Sequence, residues 1–185
     1  MIYQLNSIQF LLNTIFDVLS FLFMLRMWFQ YCRVDFYSSF SQSLVKFTNP
    51  IILTLQKVLP TIKNINFAPL FVVFVLGVLK YHMIFAIVGA RFPIGQSVII
   101  ALLHTLRTFG ELFLYILFLG AILSWFNRGA LSYLLHQLGE PLLKPVRRLL
   151  PRTGMIDFSP MLLAFILFYG NRVMYDLLGN YWALA

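Results

Sequence analysis

Four ionisable side chains stand deep inside long apolar runs: Asp17, Lys80, Glu111 and Arg172. Charge at such depth is costly in hydrocarbon and normally faces a partner or a wet cavity. On a helical rise of about 1.5 Å per residue, Asp17 lies about 16 Å from Trp28, Lys80 about 16 Å from Pro69 and Arg172 about 18 Å from Pro160. Glu111 falls a few ångströms further along, nearer the outer boundary. An acid and a base at one depth can lock two helices together or relay protons or cations. The depths predict two pairs, Asp17 with Lys80 and Glu111 with Arg172. Two other arrangements compete. Arg172 and Asp176, at i and i+4, can satisfy each other, and Glu111 and Arg172 can snorkel outward.

Other reactive chemistry is sparse. His82, His104 and His136 lack zinc-site spacing, and no cysteine or carboxylate cluster joins them. Cys32 is the one cysteine, so no intrachain disulfide or CxxC pair is available. No phosphate loop, nucleophile elbow or HExxH pair is present. The reading is of a non-enzyme with no catalytic residue, no cofactor and no metal.

Composition sets the class. Hydrophobic residues make up 61% of the chain and charged residues 11%, with mean hydropathy +0.84. Soluble domains carry about 25% charged residues, so 185 residues this apolar describe an integral membrane protein. The net charge of +8 does not point to nucleic acid, because the basic residues form no patch on a polar domain. Anionic lipid headgroups account for it better. Residues Met1 to Ser7 have no basic n-region, and no A-x-A site follows, so the first apolar run reads as a retained helix.

A bilayer core takes about 20 apolar residues in helix. Spans are predicted at about 8–30, 69–90, 108–127 and 159–181, with Trp28, Trp125 and Trp182 at their ends as interfacial anchors. The stretch from Pro93 to Arg107 is open between an extension of the third helix, an interfacial helix and a fifth span. Charge decides for four spans. The two long connections, 31–68 and 128–158, hold nine of the fourteen basic residues, among them Lys63 and Arg128, and the positive-inside tendency wants both in the cytoplasm.

Six of the eight prolines form two matching ladders: Pro50, Pro60 and Pro69 recur 91 positions later as Pro141, Pro151 and Pro160. Leu59, Ile65, Phe67 and Phe74 recur as Leu150, Ile156, Phe158 and Phe165. The chain is therefore read as a duplication, residues 1–92 and 93–185, both copies entering the bilayer in the same sense. The fold class is all-α membrane protein, about four transmembrane helices in two parallel repeats, each with a short amphipathic interfacial helix. Those interfacial helices are predicted at about 50–60 and 141–150, with Pro50 and Pro141 at the first helical position and Asn49 as an N-cap. Pro145 should bend the second. Their basic residues, Lys57, Lys144, Arg147, Arg148 and Arg152, back an apolar stripe, as in a helix lying in the headgroup plane. Such a face anchors and orients the chain, or docks a partner or lipid.

The segment Glu140-Pro141-Leu142-Leu143-Lys144-Pro145-Val146-Arg147-Arg148-Leu149-Leu150-Pro151, followed by Gly154 and Ile156-Asp157-Phe158-Ser159-Pro160, resembles the signature of the YggT family of bacterial integral membrane proteins. The first copy is a weaker version, with Asn66 where the second has Asp157, Ala68 where it has Ser159 and Lys63 where it has Gly154. Leu25-Arg26-Met27-Trp28 and Asp35-Phe36-Tyr37 also resemble the family's first copy. The resemblance implies two tandem domains in a bacterial inner membrane, basic loops cytoplasmic and termini periplasmic, with links to osmotic-stress tolerance and cell division. It also brings in plastid relatives associated with haem attachment and nucleoid distribution, which prompts His82 and His104 as axial ligands. The signature reads as a corner: Ser159 capping the fourth helix, Pro160 in its first turn, Asp157 at its positive end and Gly154 in the preceding turn.

The functional expectation is a membrane scaffold or assembly factor, partnered by anionic lipids and by another membrane protein or a second copy of itself. A small ion-handling protein and a haem-handling accessory are the alternatives.

Overall fold

The computed structural model describes residues 7–34, 39–62, 65–87, 89, 91–126, 129–150 and 157–185. Pro151, Arg152, Gly154, Lys63, Arg128 and the segment 35–37 lie outside them. The elements run α1 (Ser7–Tyr31), α2 (Ser39–Leu55), a two-stranded hairpin of β1 (Thr61–Ile62) and β2 (Ile65–Asn66), then α3 (Phe67–Ile87), α4 (Ile94–Phe126), α5 (Ala130–Leu149), α6 (Ser159–Leu178) and α7 (Asn180–Leu184). In the hairpin Thr61 pairs with Asn66 and Ile62 with Ile65. Helices α1, α3, α4 and α6 are long and apolar enough to cross a membrane.

The stretch from Ile94 to Arg107 is an N-terminal extension of the third helix, which runs without interruption from Ile94 to Phe126. The surface helices differ from expectation. Both begin well before their prolines, at Ser39 and Ala130, so Pro50 and Pro141 stand inside helices and Asn49 is no cap. Each proline withdraws one N–H from the ladder, at positions that are exposed or only half-buried, where water can serve the freed carbonyl. Helix α2 ends at Leu55, so Lys57 lies beyond it. The duplication survives these changes: α2 and α5 start 91 positions apart, and α3 and α6 end 91 positions apart.

Two spans per copy make the copies enter the bilayer in the same sense. Helix α3 is the hub, packed on α1 within its own copy and on α4 of the next. The core gathers at the α5 end of the bundle, around Phe23, Met24, Phe29, Val73 and Leu112. Trp28 is part of that core rather than an interfacial anchor, being 6% exposed. Its ring meets Tyr31, Phe109 and Phe113, and its Nε1–H donates to the Leu138 carbonyl at 3.0 Å, which joins α1, α4 and α5.

Helix α6 stands apart, and none of its apolar window is buried within the chain. Gly179 ends it with φ of +52°, a left-handed conformation that costs glycine little. The chain then reverses into α7, and Trp182 returns to the bundle, 4% exposed, with Nε1–H donating to Asn171 Oδ1 at 2.8 Å.

Candidate functional site

Helices α1 and α3 cross where Asp17 meets Lys80. Lys80 Nζ donates to Asp17 Oδ1 at 2.7 Å, and Asn13 Nδ2, one helical turn before Asp17, donates to Oδ2 at 2.7 Å. Each carboxylate oxygen thus has a donor, as a carboxylate out of water requires. The Lys80 side chain is 5% exposed and its ammonium lies 5.6 Å from the Tyr81 ring centre.

Helix α4 brings His104 to the same region, 3% exposed. Its Nδ1 donates to the Ala185 carbonyl at 2.8 Å, since a carbonyl only accepts. Its Nε2 lies 3.2 Å from Ser20 Oγ on α1. Tyr81 donates its hydroxyl to the Leu184 carbonyl, and Arg107 Nη1 donates to the Trp182 carbonyl at 3.3 Å. The last carbonyls of a helix have no partner within it, and Tyr81 and Arg107 supply donors to α7 while His104 supplies one to Ala185 just after it. The result is a polar cluster inside the bundle, closed over by the returning chain.

The second expected pair does not form. Glu111 accepts from Arg107 Nε at 2.9 Å, one turn away on α4, while Arg172 pairs with Asp176 at 3.3 Å on α6. Helix α6 stands off from α4, and each charge takes the partner on its own helix. Tyr81, Arg107 and Asn13 are the members sequence reasoning passed over, and it raised His104 only as a haem ligand. Arg107 and Glu111 at i and i+4 were a readable signal; the meeting of His104 with Ser20 and Ala185 was not.

The two corners are built alike. Asn66 Oδ1 accepts from the Ala68 N–H at 3.0 Å, and 91 positions later Asp157 Oδ1 accepts from the Ser159 N–H at 3.0 Å. The N-cap position of α6 is Phe158, and the Asp157 carboxylate just before it, rather than the Ser159 hydroxyl, takes the first free N–H of the helix, with Pro160 following Ser159. In the first corner Asn66 Nδ2 donates to Gln30 Oε1 at 2.9 Å. In the second, Arg147 joins Asp157 Oδ2 through Nε and Glu140 Oε2 through Nη1, each at 2.8 Å. Partial burial works against the charge on Asp157. The Ser159 hydroxyl and amide, with the Arg147 guanidinium, outweigh it and hold the carboxyl below its usual range. Partial burial likewise lowers Arg147, and its bonds to Glu140 and Asp157 more than reverse this. Lys144 and Arg148 face outward from α5, and Lys57 is exposed past α2.

A depressed carboxyl gives stability that is complete above the unfolded value near pH 4 and is lost as pH falls through the folded one. The corner should therefore loosen only in acid. Amide exchange at Ser159, corrected for intrinsic rate, will quicken below about pH 4. Asp157→Ala will show the same loosening at neutral pH at a cost of about 1 kcal/mol. Asp157→Asn will keep the turn, as Asn66 does. An Asp157→Ala protein with unchanged exchange at Ser159 would refute the capping role.

Among the described residues, no three His, Cys, Asp or Glu side chains come together as a metal site. These features define a four-span helical membrane protein made of two like-oriented copies, each turned into the bilayer by a hydrogen-bonded corner. The chain belongs to the CCB3/YggT family, whose model matches residues 5–87 and again 99–178. An uncharacterized protein of Haemophilus influenzae is 42% identical over 184 residues, 98% of this chain and 99% of that one. The uncharacterized protein YggT of Escherichia coli K12 is 40% identical over 176 residues, 94% and 92% of the two chains. One from Vibrio alginolyticus is 36% identical over 182 residues, 96% and 98% of the two. No solved structure matches the chain.

Proposed function

We propose that the protein is a non-enzymatic scaffold or assembly factor of the bacterial inner membrane, presenting a cationic surface at the cytoplasmic face. The observation that carries this reading is the division of charge. Asp17, Lys80, Glu111 and Arg172 are each paired within the chain. Lys144 and Arg148 instead point away from a helix held to the bundle by Trp28. The positive-inside tendency puts that helix in the cytoplasm and the termini outside. Each basic residue near an anionic leaflet contributes about 1 kcal/mol of attraction, so the surface suits acidic lipids or an acidic partner, whether another membrane protein or a second copy of the chain.

Ion handling finds less support, since Lys80 is 5% exposed and α7 closes over the polar cluster. Haem handling finds less again. Both ring nitrogens of His104 have partners in the chain, and His82 Nδ1 bonds the Val78 carbonyl at 2.9 Å.

The test is a deletion strain complemented with Lys144→Glu/Arg148→Glu and challenged for osmotic tolerance and division. The double reversal will accumulate normally in the membrane and fail to complement, while Asp17→Asn/Lys80→Met will complement to the extent that it folds. Full complementation by the reversed-charge protein would sink the scaffold reading. Proteoliposome ion flux that disappears with Asp17→Asn would replace it with the ion-handling one.

A further inference from the structure

Between α4, α5 and α6 lies a cavity of about 870 Å³, apolar over most of its wall. Four of its lining residues are glycine or alanine: Gly120, Ala121, Gly139 and Ala164. The first copy fills the corresponding space. Gly139 and Ala164 stand 91 positions after Thr48 and Val73, both 0% exposed. Aligning α1 with α4 on Trp28 and Trp125 sets Gly120 and Ala121 opposite Phe23 and Met24, at 2% and 0% exposed. Glycine inside a helix costs about 1 kcal/mol relative to alanine, and a void forfeits the contacts of its lining. Four large-to-small exchanges converging on one space, against both costs, describe a built cavity.

We propose that this cavity binds one glycerophospholipid from the adjoining leaflet. An acyl chain lies between α4 and α6, and a phosphoethanolamine headgroup sits at Arg147, Glu140 and Asp157. A transmembrane helix about 30 Å long needs a path open at both ends, and α5 closes one end of the space through Leu135, Gly139 and Leu143. The volume falls instead within the range of roughly 300–1,000 Å³ that serves small organic ligands, and a flexible chain enters sideways where α6 stands off from the bundle.

Charge selects the headgroup. Arg147 and Asp157 line the cavity, and Arg147 is held between Asp157 and Glu140 at 2.8 Å from each. A guanidinium flanked by two carboxylates complements a head that carries a phosphate and an ammonium together. A purely anionic head would bring its charge against Glu140 and Asp157. The site thus differs from the outward face of α5, where Lys144 and Arg148 attract anionic lipid without selecting one molecule.

The full chain, purified and delipidated in mild detergent, would be offered equal amounts of phosphatidylethanolamine and phosphatidylglycerol and examined by native mass spectrometry. One phosphatidylethanolamine will be retained per chain. Ala164→Phe and, separately, Gly120→Phe enter the cavity from different helices. Each will cut occupancy by about tenfold or more, the effect of withdrawing two buried methylenes from the acyl chain. Glu140→Gln/Asp157→Asn will move the preference toward phosphatidylglycerol, and this surface change decides the matter if a filling variant fails to fold. No retained lipid, a wild-type preference for phosphatidylglycerol, or unchanged occupancy in both filled proteins would each overturn the proposal. So would a second chain crosslinked into the space instead of lipid.

Discussion

Asp17→Asn will cost the folded protein about 3 kcal/mol, because it leaves the Lys80 ammonium buried without its counter-charge. The ammonium is 5% exposed, and the Asp17 carboxylate is the one acid within reach of it at 2.7 Å among the described residues. Asp17 itself is 43% exposed, so its end of the pair is partly screened and the cost arises at the buried ammonium. Lys80→Met added to Asp17→Asn will recover much of the loss, since the double variant buries no charge at the crossing. Thermal melting in one detergent, across the four members of the cycle, measures this coupling. Additive losses would refute the claim that these residues act as a unit.

Gly77→Leu will separate the two copies. A Cβ at Gly77 would stand 3.1 Å from Ala101 Cβ, 3.2 Å from Ala101 Cα and 3.2 Å from His104 Cδ2. Two of those atoms belong to a short side chain and the backbone behind it, and the third to a ring held at both nitrogens. None can swing aside, so the helices must part. Membrane helices associate through such close approach, with no hydrophobic driving force between them to compensate. A leucine there should cost about 3 kcal/mol, the upper part of the usual range for overpacking. It should also loosen the contacts of α7 with His104. Gly170→Leu, where nothing lies within 4 Å of the added Cβ, is the control and should melt close to the wild type. Equal melting of the two variants would show that the α3–α4 contact does not set the stability.

The corners and the mid-membrane charges were legible from sequence to different degrees. Asn66 and Asp157 declared themselves through the proline ladders, and their shared turn is a local event within three residues. Within the turn the sequence places the cap two residues late, because Ser159 and Asp157 are both good caps and only backbone geometry separates them. Sequence alone starts α2 and α5 too late, because proline reads as a first-turn residue. Proline penalises a helix interior but does not forbid it where the freed carbonyl can reach water.

Hydropathy, basic asymmetry and the 91-residue recurrence determined four spans, two like-oriented copies and polar corners between them, because each depends on chemistry repeated along the chain. Which charge meets which was decided in three dimensions. Glu111 turned to Arg107 and Arg172 to Asp176, and His104 came to lie between Ser20 and the returning end of the chain. A helix's rotation about its own axis follows from contacts such as Gly77 on Ala101, made by residues distant in sequence. That rotation, which no local pattern carries, chooses the partners.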